Sequence, residues 1–253
     1  MTKSRIHYKI ATLIAITVIN TAFLGCQNRS NNKNADHSPE AGTKDQAGSS
    51  ATLSAKVFPL FNGHSFDGWN VDTNYFSIRD SVIVGGTLRK PIEEMLWITT
   101  KKKYTDFQLD VDVMLTGGDE EERPNSGIWF RCRFNEGGML VGYEADMMIN
   151  LDEKETKDSI WWGSLHDPFR RDFDEFNIVG NQDSLRKTLK LEGWNHFKIY
   201  CKGPDIKVWL NDILTAAYVE TDKSIARSGI IGLQLHDGPP TEVRFKNVML
   251  REL

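Results

Sequence analysis

Phe107-Gln108-Leu109-Asp110-Val111-Asp112-Val113-Met114-Leu115 decides the fold. Phe107, Leu109, Val111, Val113 and Leu115 fall on one side of an extended chain, and Gln108, Asp110 and Asp112 on the other. That is the period-two pattern of a half-buried strand. Phe197-Ile199-Cys201 and Ile206-Val208-Leu210 repeat it on either side of Lys202-Gly203-Pro204-Asp205, a hairpin turn. Asn211-Asp212 turns the chain into a further strand over Ile213 to Val219. Ile230 to His236 and Val243 to Leu250 follow, joined across Asp237-Gly238-Pro239-Pro240. Only Asn181 to Leu191 has room for a short helix, and there is no internal repeat. Many short strands punctuated by Gly and Pro predict an all-β fold, a jelly-roll β-sandwich of two antiparallel sheets.

The first 55 residues do not belong to that body. Lys3, Arg5 and Lys9 precede an apolar run from Ile10 to Phe23, which is shorter than the 20 or so residues of a membrane span and reads as a signal peptide over 1–25. Phe23-Leu24-Gly25-Cys26 resembles a bacterial lipobox, with Phe23 where Leu is usual. The resemblance implies lipidation of Cys26 and attachment to the cell envelope, at the outer membrane because Gln27 rather than Asp follows. An ordinary signal peptide is the alternative. Residues 26–55 are rich in Asn, Ser, Ala, Gly and Lys and bury too little to order themselves, so a disordered tether is expected.

About 200 residues remain, enough for one domain with its own core. The formal net charge of −4 leaves no basic footprint for nucleic acid. Of three Cys, Cys132 and Cys201 lie in the body. They either pair in an oxidising compartment or stay as buried thiols, and the second reading is favoured because nothing in their spacing brings them together.

A hairpin carries the candidate site. Ser126 to Phe134 and Val141 to Ile149 flank Asn135-Glu136-Gly137-Gly138. Strict alternation puts Ile128, Phe130, Cys132 and Phe134 on the core face with Val141, Tyr143, Ala145, Met147 and Ile149. It gathers Trp129, Arg131, Arg133, Glu144 and Asp146 on the other, where cross-strand neighbours lie about 5 Å apart. The bland alternative is a solvated face with surface ion pairs.

Several phrases of the sequence, in order, resemble the 3-keto-disaccharide hydrolase domain family. They are Leu60-Phe61-Asn62-Gly63 with Gly68-Trp69, Asn125-Ser126-Gly127-Ile128-Trp129-Phe130-Arg131, Gly142-Tyr143-Glu144, Trp194-Asn195 and Gly232-Leu233-Gln234-Leu235-His236. The likeness spans Val57 to Leu253 and implies a concanavalin-like double sheet. It also implies a chemistry. A ketone at C3 of a glycoside acidifies the C2 hydrogen, a base removes it, and the C1 substituent leaves by β-elimination before water adds back. Such a site needs a base, an acid and a donor at the enolate oxygen.

On that resemblance Glu144 and His236 are the base and acid in either order. Arg131 stabilises the enolate, with Arg133 in support. Asp146 orients an arginine or a sugar hydroxyl, although the family often carries Gln nearby. Trp129, Trp161, Trp162, Gln234 and His166 complete the substrate-binding set. Trp69, Trp209 and Trp97 are assigned to the core, and Asp167 to a plain loop. The sequence requires no cofactor. Asp119-Glu120-Glu121-Glu122 reads as a solvated acidic loop, with a divalent cation there or beside His236 as the minor alternative. The expected partner is a 3-keto sugar or another glycan. A glycan-binding module without catalysis is the competing function, since the fold supports both.

Overall fold

The computed structural model describes residues 56–120, 122–150, 159–172 and 175–253. The signal segment, Cys26 and the tether lie outside the described residues. In chain order the strands are β1 (Val57–Pro59), β2 (Trp69–Asn70), β3 (Phe76–Arg79), β4 (Val82–Thr87), β5 (Leu96–Thr100), β6 (Phe107–Gly117), β7 (Gly127–Phe134), β8 (Leu140–Asp146) and β9 (Ile149–Asn150). They continue with β10 (Ser159–Ile160), β11 (Leu165–His166), β12 (Asn177–Ile178), β13 (Asn195–Lys202), β14 (Asp205–Leu210), β15 (Ile213–Val219), β16 (Ile230–Leu235) and β17 (Thr241–Glu252). A short helix, α1 (Gln182–Thr188), is capped by the Asn181 side chain, which accepts from Ser184 N at 3.0 Å.

Two antiparallel sheets face each other, as the alternating pattern predicts. The first runs β15-β14-β13-β6-β17-β4-β3, with β1 added on β17; the second runs β12-β11-β8-β7-β16-β5-β2. Strand β6 sits in the middle of the first. Its apolar side chains form cross-strand rows with both neighbours: Val111 with Phe197, Leu109 with Ile199 and Leu250, and Phe107 with Cys201. Phe107, Leu109, Val111 and Val113 are completely buried, and each contributes about 1.5–3 kcal/mol of transfer free energy. Ile128, Phe130, Tyr143, Ala145, Leu233 and Leu235 meet them from the second sheet.

The opening phrase is a structural clasp. Asn62 Oδ1 accepts from the backbone N–H groups of His64 and Ser65 at 2.8 Å, and Gly63 and Gly68 supply the positive φ the turn needs. The turn drops Trp69 into the core, where its indole N–H donates to Leu60 O at 2.8 Å. Asn195 is likewise structural. Its carboxamide accepts from Lys190 N and donates to Lys190 O and Gly193 O.

Three Trp assignments change, and Trp97 is one of them, packing against Trp129 outside the main core. Trp209 lies on the outer side of the first sheet with Lys198 over its ring, because its register partner is Lys198. Trp162, expected on the sugar face, is buried between the sheets and stacks on Phe197.

The hairpin departs from strict alternation at one bulge. Phe130 pairs with Tyr143 and Arg133 with Val141, so Arg131 and Cys132 together oppose Gly142. Arg131 takes φ 52°. The extra residue inverts the phase, which corrects three expectations: Phe134 is exposed at the end of β7 rather than on the core face, and Cys132 and Arg131 change sides. Cys132 moves off the core face and packs with Trp129 and Leu140 on the outer side of the second sheet. Arg131 swings away from that side, and its Nη2 donates to Thr105 O at 2.9 Å and lies 3.5 Å from Asp106 Oδ1. Both Cys132 and Cys201 are free and buried.

Glycine makes the bulge fit. A Cβ on Gly142 would lie 2.2 Å from Cys132 Sγ, and one on Gly229 would lie 2.3 Å from the Arg131 carbonyl carbon. Gly142→Ala is therefore expected to cost about 2 kcal/mol, seen as a fall in Tm of about 4–8 °C. Adding Cys132→Ala should recover part of it. A Gly142→Ala protein that melts with the wild type contradicts this packing.

Candidate functional site

The outer face of the second sheet is built around β8. Trp129, Glu144 and His166 form one cross-strand row, since Trp129 pairs with Glu144 and Glu144 with His166. Asp146 is two residues along β8 from Glu144 and pairs with Gly127. Gly127 is where the Asn125-Ser126-Gly127 phrase acts. A Cβ there would lie 2.1 Å from Glu144 Oε1, so only glycine leaves room for that carboxylate. Ser126 ties the strand down, donating to Gln234 O at 2.8 Å and accepting from Met147 N.

Indoles wall the other side of the row. Trp97 meets Trp129 edge to face at 5.6 Å between ring centroids. Gly232 lies beneath the pair, where a Cβ would crowd Leu140, Trp129 and Trp97. Phe169 stacks on Trp129 at 6.2 Å and 20°. Trp161 stands edge-on to His166 at 5.7 Å. Buried polar atoms converge here without hydrogen-bond partners: Nε1 of Trp97 and of Trp129, Oε1 of Gln234, Oδ1 of Asn125 and Oδ1 of Asn177. A cluster of unpaired buried atoms on one face is expensive, and a polyhydroxylated ligand would satisfy it.

Burial sets the protonation. Glu144 is 7% and Asp146 4% exposed. Desolvation holds the Glu144 carboxyl well above its usual range; Asp146 adds to the shift, and the Trp129 N–H facing Glu144 partly offsets it without closing a hydrogen bond of good geometry. Desolvation raises Asp146 to about 7, with the Met147 backbone N–H pulling the other way at 2.6 Å. His166 is lowered to about 4 by burial, offset in part by Asn177. The imidazole is therefore neutral at pH 7, and its 3.6 Å approach to Asp146 Oδ2 is a polar contact rather than an ion pair.

The tautomer follows from Ser164. Its single hydroxyl proton goes to Trp161 O at 2.6 Å, so His166 Nε2 must donate to Ser164 Oγ at 3.0 Å. Nδ1 of the neutral ring is then an acceptor, and it faces an Asp146 carboxyl that holds its proton up to about pH 7. Two buried carboxyl groups, both raised by desolvation, Asp146 to about 7, form an acid–base set with the neutral imidazole.

The structure sorts the expected site residues. It brings Trp129, Glu144, Asp146, Gln234, His166 and Trp161 to the outer face. Arg131 points to Thr105, and Arg133 is exposed beyond the bulge. His236 lies past the end of β16 on the rim, where Nδ1 lies 2.6 Å from Asp237 O and 3.2 Å from Asp237 Oδ1. Trp97 is half-buried against Trp129 instead of in the main core. Four contributors were not assigned from sequence as site residues: Trp97, Asn177, Asn125 and Phe169. Strands β11 and β12 are two residues long each, too short to show alternation. Only Gly163, at φ 75°, hints that the chain turns back on itself there. An open depression of about 610 Å³ on the first sheet, near Met114, Glu192 and Arg244, gathers no comparable groups. Among the described residues no three His, Cys, Asp or Glu side chains are arranged to hold a metal ion.

The fold has solved counterparts. A structure described as a putative glycosyl hydrolase from Parabacteroides distasonis ATCC 8503 aligns with a TM-score of 0.56 at 18% identity, covering 78% of this chain and 94% of that one. A second putative glycosyl hydrolase from the same organism aligns with a TM-score of 0.53 at 22% identity, over 78% of this chain and 100% of that one. No curated protein matches the sequence. The model of the 3-keto-alpha-glucoside-1,2-lyase-like domain matches residues 56–251, the whole sandwich. The chain belongs to the 3-keto-alpha-glucoside-1,2-lyase-like domain family.

Proposed function

We propose that this protein is a glycoside-processing enzyme that cleaves 3-keto glycosides by C2 proton abstraction and β-elimination, with Glu144, Asp146 and His166 as its acid–base set. The observation that carries the reading is the burial of two adjacent carboxyl groups beside a neutral imidazole on a face lined by unpaired polar atoms. Glu144 takes the proton from C2. The C–H electron pair forms the C1–C2 double bond in conjugation with the ketone, and the C1–O bond breaks. The leaving oxygen takes the proton held by Asp146. Water then adds at C1 with Asp146 as base, and Glu144 returns its proton to C2. His166 Nδ1 orients the Asp146 carboxyl. Trp97 N–H is a buried donor open to a sugar oxygen, and Gln234 Oε1 an acceptor open to a hydroxyl. The roles assigned from sequence to Arg131 and His236 pass to residues on this face.

Glu144→Gln, assayed on a 3-keto disaccharide, should lower kcat/KM by about 10²–10⁴. Arg131→Ala should lower Tm, and His236→Ala should leave turnover within about twofold of the wild type. Full turnover by Glu144→Gln would contradict the assignment. Glycan binding without any cleavage of the keto sugar would favour a binding module instead.

The base works only when ionised and the acid only when protonated, so kcat/KM should be bell-shaped, with a rising limb set by Glu144 and a falling limb near 7, the value to which burial lifts Asp146. Asp146→Asn removes the like charge that raises Glu144. The rising Glu144 limb should then move to lower pH and the falling limb near 7 should disappear; a rising limb that stays in place or moves upward would sink the coupled pair.

The amino-terminal segment gives the enzyme an envelope address in this reading, with Cys26 as the lipid-bearing residue. Expressed in a Gram-negative host, the full chain should incorporate labelled palmitate and partition with membranes, and Cys26→Ser should do neither. Label in the Cys26→Ser protein would rule this anchor out.

A further inference from the structure

We infer that the face of Trp129 lying under Phe169 is the stacking subsite for one pyranose ring of the substrate, and that Phe169 is its displaceable cover. This rests on the site proposed above and adds a subsite to it. Trp129 is fully enclosed at 1% exposure, yet its register partner is Glu144 and its indole N–H has no hydrogen-bond partner. Beside it, Trp97 Nε1 and Gln234 Oε1 are also buried and unpartnered. While Phe169 stacks on the indole, that face of Trp129 is closed to a sugar.

Phe169 has the properties of a cover rather than of core. It is 54% exposed, although its inner ring face lies flat on Trp129. It holds φ at 67°, which costs a non-glycine residue about 1 kcal/mol or more. The chain around it is pinned on the far side. Asp167 pairs with Arg170 and with Arg171, the latter at 3.2 Å; Arg171 also pairs with Glu220, and Arg170 lies 4.5 Å over the Tyr143 ring. These ties hold the segment in place, while the ring at residue 169 is half exposed and stacks on Trp129. The apolar C–H face of a pyranose has the flatness and size to replace that ring on the indole. Its hydroxyl and keto oxygens would then lie along the edge where the unpartnered N–H groups and the Gln234 carbonyl are waiting.

A covered subsite weakens apparent binding by the fraction of time the cover is off. The test compares wild type and Phe169→Ala on 3-ketosucrose, with Glu144→Gln in parallel. KM should fall about two- to tenfold in Phe169→Ala, the worth of one aromatic stack expressed as a population. A raised KM would make Phe169 itself the platform, and an unchanged KM would remove it from the binding path; either overturns the inference. Should Phe169→Ala show no fall in KM while Glu144→Gln is inactive, only the cover fails. Turnover by Glu144→Gln would bring down the site reading beneath it.

Discussion

Strand β8 is buried on both faces from Leu140 to Asp146, and the chemistry of the molecule descends from that constraint. Its odd residues, Tyr143 and Ala145, fill the space between the sheets. Its even residues include two carboxyl groups that have nowhere to go but a second enclosed space on the outer side. No cation is among the causes acting on Glu144 or Asp146. Two adjacent carboxylates deprived of water cannot both ionise cheaply, so they keep protons that exposed acids would lose. A pair of acids held near neutrality is a reactive arrangement, and the neutral His166 fixes the direction in which Asp146 presents its proton.

The surrounding glycines read as clearance for that arrangement. Gly127 makes room for the Glu144 carboxylate, Gly142 for the Cys132 thiol and Gly232 for the paired indoles. Gly142 stands opposite the bulge that carries Cys132 and Gly232 opposite Trp129, whereas Gly127 lies diagonally from Glu144. The sequence phrases shared with the family thus divide by physical task. The Leu60–Trp69 clasp and Asn195 hold the sandwich together, whereas the phrases ending in Glu144 and passing through Gly127 and Gln234 shape the outer face.

Much of the sandwich was legible because long strands carry many independent alternations. Phe107 to Leu115 signals its own face nine times over, and β13 and β14 follow it closely. Glu144 and Asp146 were legible for the same reason. Arg131 was misplaced because one inserted residue shifts the phase, and periodicity alone does not register a bulge. The visible trace of it lay in two glycines, Gly142 and Gly229, whose meaning depends on knowing what they oppose. His166 and Asn177 were illegible as a row with Glu144 because two-residue strands have no period. Trp161 and Trp162 illustrate the same limit. Adjacent identical residues separate to the site and the core, and only the turn at Gly163 decides which goes where.

The central claim is that burial makes Glu144 and Asp146 retain protons that free carboxylic acids release near pH 4. Infrared difference titration of the carboxylic C=O stretch in the wild-type protein, with Glu144→Gln and Asp146→Asn to assign the bands, tests it most directly. A protonated carboxyl band should persist at pH 6, lose its Asp146 component with a midpoint near 7 and change in both variants. Complete ionisation of both groups by pH 5 would contradict it.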